Sequence, residues 1–204
     1  MNFVQFAKIF FKFLFGIFYN IDVQGYENIP ESGDGYVLCA NHSCWFDPLL
    51  IGSYYPDVLH FMAKKELFES HILSFLVRKL NAFPVDRNGS DLKAIKTAVK
   101  ILREGKILGI FPEGTRNLSG TPGAKAGVAI IAINAKKNVL PVAITAEKNY
   151  RIFTRISIVI GKKISLEEYY STKKIPKEKY QSISDDIMKN IYILKESNFS
   201  ANSK

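Results

Sequence analysis

Tyr36-Val37-Leu38-Cys39-Ala40-Asn41-His42-Ser43-Cys44-Trp45-Phe46-Asp47-Pro48 is the stretch that decides how this chain folds. Residues 36–40 form an apolar run of the length of a buried strand. Asp47-Pro48 opens a helix, with Asp47 as N-cap and Pro48 at the first helical position. At the strand's exit stand a histidine and a carboxylate with four residues between them. On one continuous helix they would project about 140° apart, so contact between them requires a turn. Given that turn, the carboxylate folds back toward the imidazole. Imidazole takes a hydroxyl proton near neutral pH, and a carboxylate on its other ring nitrogen fixes the tautomer. The spacing alone also allows a simple helix cap and a loop histidine.

Further along, Lys106 to Phe111 reads as a second strand, stopped by Pro112 and followed by the irregular turn Glu113-Gly114-Thr115-Arg116. Ligands of open α/β sheets bind at such strand ends. Gly114 allows close backbone approach, and the planar fork of Arg116 matches phosphate oxygens. In isolation the same residues describe an ordinary solvated loop. Ser43 and Cys44 raise the question of a nucleophile, but His60 and His71 have no evident orienting partner. A substrate hydroxyl deprotonated by His42 needs fewer parts, and Cys44 reads as a small packing residue.

Working outward, strand-like runs recur at 36–40, 59–63, 83–85, 107–111, 139–144 and 156–160. Helical patterns fall at 91–104, where Leu92, Ile95, Val99 and Leu102 form one stripe, and at 128–136. Strands alternating with helices predict an α/β fold with a mixed, mainly parallel sheet flanked by helices. The segment from 176 to about 196 reads as a terminal helix with a disordered Ser/Asn end. At 204 residues and 47% apolar content, without repeats or low-complexity linkers, the chain is long enough for one well-buried domain.

Four blocks in order resemble the glycerolipid acyltransferases typified by bacterial 1-acyl-glycerol-3-phosphate acyltransferase. Asn41-His42 through Asp47 resembles the family's His-x4-Asp catalytic block, and Ala82-Phe83-Pro84-Val85-Asp86-Arg87 the block whose arginine is associated with the acceptor phosphate. Phe111-Pro112-Glu113-Gly114-Thr115-Arg116 matches the third block in full, and Val139-Leu140-Pro141-Val142-Ala143 resembles the fourth, a strand near the acyl-donor side. Lys125-Ala126-Gly127 is similar to a further basic-glycine element. The resemblance runs over roughly residues 20 to 160. Departures are Cys44, where the family often has Ser, and Asn117, where it has small residues; neither removes a group the chemistry needs.

The resemblance implies the glycerolphosphate acyltransferase fold and transfer of an acyl group to the free hydroxyl of 1-acyl-glycerol-3-phosphate, giving phosphatidic acid. His42 and Asp47 would be catalytic, and Arg87, Glu113, Gly114, Thr115, Arg116 and Lys125 would bind or shape the phosphate site. The acyl donor would be acyl-CoA or acyl-carrier protein, with no cofactor and no metal. Other acceptors within the family (glycerol-3-phosphate, a lysophospholipid, an aminoacyl lipid) and a catalytically silent membrane-binding protein are the alternatives.

Residues 1–20 form a separate N-terminal unit ahead of the domain at 21–204. Phe3, Phe6, Phe10, Phe13 and Phe18 cover most of a helix on which Gln5, Lys8 and Lys12 make a narrow polar stripe. That pattern suits a helix lying in a membrane interface, since charges at bilayer depth are costly. A core helix and a membrane-spanning anchor are the competing readings. No basic region precedes the apolar run and no small-residue cleavage site follows, which argues against a secretory signal.

The net charge of +9, with basic pairs at Lys162-Lys163 and Lys173-Lys174, fits an anionic lipid surface. Nucleic acid as a partner is not expected, because no recognition motif accompanies the charge. Cys39 and Cys44, the only cysteines, lack disulfide or metal spacing. The expected location is therefore the cytoplasmic face of the cell membrane.

Overall fold

The strands that carry the two motifs, β2 (Val37–Ala40) and β5 (Ile107–Ile110), lie side by side in parallel, with Val37 opposite Leu108 and Cys39 opposite Ile110. In this computed structural model, which describes residues 2–87, 89, 91–117, 123–171 and 174–202, they sit inside a seven-stranded sheet. The other strands are β1 (Asn20–Gln24), β3 (Leu59–Lys64), β4 (Phe83–Val85), β6 (Val139–Ala146) and β7 (Arg155–Ile160), in the order β1-β7-β6-β2-β5-β3-β4. Every pair is parallel except β6 with β7. The predicted mixed, mainly parallel sheet is therefore observed.

Burial on both faces explains why β2 reads as an unbroken apolar run and not as an alternation. Val37 and Cys39 enter one core, while Leu38 and Ala40 enter the other. The first core lies under α4 (Leu92–Arg103), α5 (Gly127–Ala135) and α6 (Lys177–Asn202). The second is covered by α1 (Phe3–Phe18) and α2 (Asp47–Tyr54). The remaining helix, α3 (His71–Lys79), joins β3 to β4 and buries none of its residues.

Topology brings the site together. Chain direction puts the exits of β2, β3, β4, β5 and β6 on one edge of the sheet. Because β7 runs against β6, and β1 runs with β7, the starts of β7 and β1 reach that same edge. The C-terminal end of α1 and the segment between β6 and β7 thus arrive beside the histidine.

Several expectations are corrected. The strand β1 was not anticipated, since Asn20-Ile21-Asp22-Val23-Gln24 offers only two apolar residues at a sheet edge. Phe46, not Asp47, occupies the cap position of α2; Asp47 is the first helical residue, and its carboxylate turns back to the preceding loop. The terminal helix continues through Asn202, where disorder was expected. Lys173 lies outside the described residues, as do residues 1, 203 and 204 of the expected domains.

Of the polar stripe of α1, Lys8 and Lys12 meet the end of α2, while Gln5 stays exposed. Asn2 and Gln5 form a reciprocal capping box at its start. Lys8 Nζ donates to the carbonyls of Tyr55 and Pro56 at 2.6 and 2.7 Å, just past the end of α2, and Lys12 lies over the Tyr54 ring. A cation there satisfies carbonyls that have no helical partner. Phe6, Phe10 and Phe13 are left exposed, Phe13 at 68%. Among the described residues, no helix is long and apolar enough to cross a membrane.

Candidate functional site

His42 leaves β2 two residues after its end, and the loop to α2 curls so that Asp47 meets it. The imidazole Nδ1 lies 3.0 Å from Asp47 Oδ2. The same oxygen accepts the backbone N–H groups of Ser43 and Cys44 at 2.8 and 2.7 Å. Oδ1 accepts the Tyr150 hydroxyl at 3.0 Å. Asp47 is fully buried, and these four donors balance the cost of removing its charge from water. A carboxylate accepts and so calls for a proton on Nδ1; in the neutral ring that tautomer presents its lone pair at Nε2.

The second motif grips the backbone of the first. Glu113 Oε2 accepts the His42 N–H at 2.6 Å, and the His42 carbonyl accepts the Asn117 N–H at 2.7 Å. The other Glu113 oxygen accepts Asn117 Nδ2 at 3.0 Å and the Tyr192 hydroxyl of α6 at 3.1 Å. Burial pushes the Glu113 carboxyl above its ordinary range, against the pull of these donors. Glu113 therefore serves the site by holding the loop, since both its oxygens are committed to protein donors.

Aromatic packing fixes the ring. Phe111 stacks on His42 with centroids 4.3 Å apart, and Phe61 stacks on Phe111 at 5.9 Å. Phe61 can lie there because residue 109 is glycine; a Cβ at that position would stand 2.4 Å from the Phe61 ring. Asn41 pins the end of β2 to β6 through a reciprocal pair with the Ile144 backbone, at 3.0 and 2.7 Å.

The basic residues gather next to this unit. Arg87 follows β4 and is half-buried, and that burial lowers its pKa from the usual guanidinium range. Lys125 Nζ donates to the Arg87 carbonyl at 3.3 Å, and its aliphatic stem crosses Gly114. Gly114 has φ +71, and a Cβ there would stand 2.8 Å from Lys125 Cε, so both the backbone conformation and the close approach favour glycine. Thr115 and Arg116 are exposed and line an open cleft of about 490 Å³ with Glu113, Asn117 and Lys125. Neither Arg87 nor Arg116 forms an ion pair among the described residues. Two guanidinium groups and an ammonium beside a histidine with a free Nε2 make a place where a phosphorylated alcohol could present its hydroxyl to a base.

Residues 20–145 match the family described as Acyltransferase. The chain belongs to the Acyltransferase family. It is 40% identical over 124 residues to the 1-acyl-sn-glycerol-3-phosphate acyltransferase of Bacillus subtilis, a match covering 60% of this chain and 61% of that one. It is 31% identical over 166 residues to the protein of the same name from Streptococcus pneumoniae, covering 79% of this chain and 61% of that one. The chain thus spans about three fifths of the length of these relatives. The crystal structure of the 1-acyl-sn-glycerophosphate (LPA) acyltransferase PlsC from Thermotoga maritima shares the fold. Its TM-score is 0.67 at 22% identity, over 93% of this chain and 79% of that one.

Within this family member the structure joins His42, Asp47 and the 113–117 turn directly, and it brings Arg87, Gly114 and Lys125 into contact. Sequence reasoning missed Tyr150 and Tyr192, which lie far from the motifs in the chain and carry no local signal. Asn117 was noted only as a departure from the family pattern, yet it ties the turn to His42 twice over, through its own N–H and through Glu113. Both cysteines are free; burial raises the Cys44 thiol above its usual range, which leaves it a poor nucleophile. Among the described residues, no group of three or more His, Cys, Asp and Glu could hold a metal ion.

Proposed function

We propose that this chain transfers a fatty acyl group from an acyl thioester to the free hydroxyl of 1-acyl-glycerol-3-phosphate, yielding phosphatidic acid and a free thiol. The observation that carries this reading is the buried His42–Asp47 pair with Nε2 open beside an arginine-bearing cleft. The names of its relatives support the same acceptor.

In the proposed mechanism, His42 Nε2 takes the proton of the acceptor hydroxyl while Asp47 stabilises the imidazolium that forms. The oxygen attacks the thioester carbonyl of acyl-CoA or acyl-carrier protein. The tetrahedral intermediate collapses with loss of the thiolate, which leaves as the thiol after taking the proton from His42. Arg87, Arg116 and Lys125 hold the acceptor phosphate, and Gly114 and Thr115 shape the turn around it. Holding both substrates together supplies much of the acceleration. The reading calls for neither a metal nor a cofactor.

The exposed phenylalanines of α1 suit a membrane interface, in line with a peripheral position on the cytoplasmic face of an anionic membrane. A helix of 16 residues is about 24 Å long, short of the roughly 30 Å hydrocarbon core. Both lipid substrates would then enter from the bilayer.

Purified protein, lysophosphatidate and either oleoyl-CoA or oleoyl-acyl-carrier protein, followed by lipid mass spectrometry, test the reaction. Phosphatidate should form with the wild type and vanish with His42→Ala. Product persisting in His42→Ala rules out the dyad. A panel of glycerol-3-phosphate and lysophospholipids identifies any other acceptor.

A further inference from the structure

Tyr150 belongs to neither motif, yet its hydroxyl is the hydrogen-bond donor found on Asp47 Oδ1. The other three donors to this carboxylate all converge on Oδ2. Asp47 has no solvent exposure, and among the described residues Tyr150 is the partner of Oδ1.

The backbone around Tyr150 is unusual. Lys148, Asn149 and Tyr150 are three consecutive non-glycine residues with positive φ, at 47°, 52° and 61°. A bulky residue rarely adopts this conformation unless its surroundings impose it, and such residues collect at functional sites. Here the surroundings are specific. The Tyr150 ring packs edge-on to Phe46 at 5.3 Å, and its carbonyl accepts the Tyr19 hydroxyl at 3.2 Å. Three residues on, the Phe153 N–H donates to the Phe18 carbonyl at 2.6 Å. The segment carrying the phenol is thus tied to the C-terminal end of α1.

We infer that Tyr150 is a positioning residue of the dyad: its hydroxyl fixes the rotamer of Asp47 that faces His42 and so sets the plane of the imidazole. A carboxylate held only through Oδ2 could rotate about its Cβ–Cγ bond, and the His42 ring would lose its fixed partner. Among the described residues, the Ser43 hydroxyl and Cys44 are the other polar side chains acting on the phenol, and neither is a base. Tyr150 touches no reacting atom in this arrangement; it acts through Asp47.

Tyr150→Phe keeps the ring against Phe46 and removes the hydroxyl, with its bonds to Asp47 and to Ser43. The readout closest to the inference is the downfield proton NMR signal of the imidazole Nδ1–H that bonds Asp47. With only three histidines in the chain, its loss in His42→Gln assigns it. In Tyr150→Phe this signal should shift or broaden into exchange. The kinetic arm rests on the acyl-transfer reading: kcat with lysophosphatidate and oleoyl-CoA should fall about tenfold, with KM for both substrates within about twofold. An unchanged ring-proton signal overturns the inference, as does a rise in KM that accounts for the whole loss of turnover. If the wild type turns over no acceptor, the acyl-transfer reading fails while the ring-proton comparison still decides the role of Tyr150.

Discussion

Glu113, just beyond β5, accepts the backbone N–H of His42, just beyond β2, at 2.6 Å, so the two motifs form one hydrogen-bonded unit. Glu113→Ala strips acceptors from the His42 N–H, Asn117 and Tyr192 at once. Stability should fall by about 2–3 kcal/mol in urea titrations, and turnover should fall with it, because a buried donor left unpaired costs most of its desolvation. Unchanged stability would show that water replaces the carboxylate without loss.

Arg116 is exposed in the cleft, whereas Arg87 is half-buried and bridged to Lys125 through its carbonyl. Arg116→Ala should raise the acceptor KM by about tenfold to a hundredfold and change kcat less, because phosphate binding is used in both ground and transition states. Arg116→Lys should recover only part, having lost the bidentate fork. Steady-state kinetics comparing lysophosphatidate with its phosphate-free monoacylglycerol check this: the variant should lose the preference for the phosphorylated acceptor.

Asp91 caps α4 by accepting the Ala94 N–H at 2.9 Å, and it also accepts the Asp86 N–H at 2.9 Å, next to Arg87. These bonds, that from Asp86 first, hold its carboxyl below the ordinary aspartate range. A carboxyl whose folded pKa is lowered adds stability above its unfolded value and loses it as pH falls through the folded value. Asp91→Ala should therefore cost about 1 kcal/mol at neutral pH, and the gap from wild type should close as the medium is acidified. Urea titrations at neutral and acid pH measure it.

Lys8 and Phe13 sit on opposite sides of α1 and predict opposite phenotypes. Lys8→Met leaves the Tyr55 and Pro56 carbonyls without their donor and should cost about 1 kcal/mol of stability without weakening vesicle binding. Phe6→Ser with Phe13→Ser alters only exposed side chains. It should leave the melting temperature nearly unchanged and lower the vesicle-bound fraction in sedimentation with anionic liposomes. Equal sedimentation of the double variant and the wild type would reject this face as the membrane contact.

Much of the fold is legible in the chain because β2, β5 and β6 are buried on both faces and so read as continuous apolar runs ended by Asn41, Pro112 and Glu147. The edge strand β1 is not legible. Its residues are half-polar, and it exists only because β7 offers a paired partner. The stripe on α1 shows the same limit. Gln5, Lys8 and Lys12 share a helix face by periodicity alone, but only docking against α2 decides whether that face meets water or carbonyl groups.

The sequence by itself determined that a base, a carboxylate and two arginines would stand at strand exits, because glycine, proline and apolar runs constrain the backbone locally. Which of them touch was decided by the tertiary structure. Strand order and direction brought Glu113 to the backbone of His42, turned Asp47 from a helix cap into a buried partner with four donors, and delivered Tyr150 from 103 residues away. The physical reason is range: local propensity acts over a few residues, whereas a buried carboxylate can take its donors from any segment that the sheet places at the same edge.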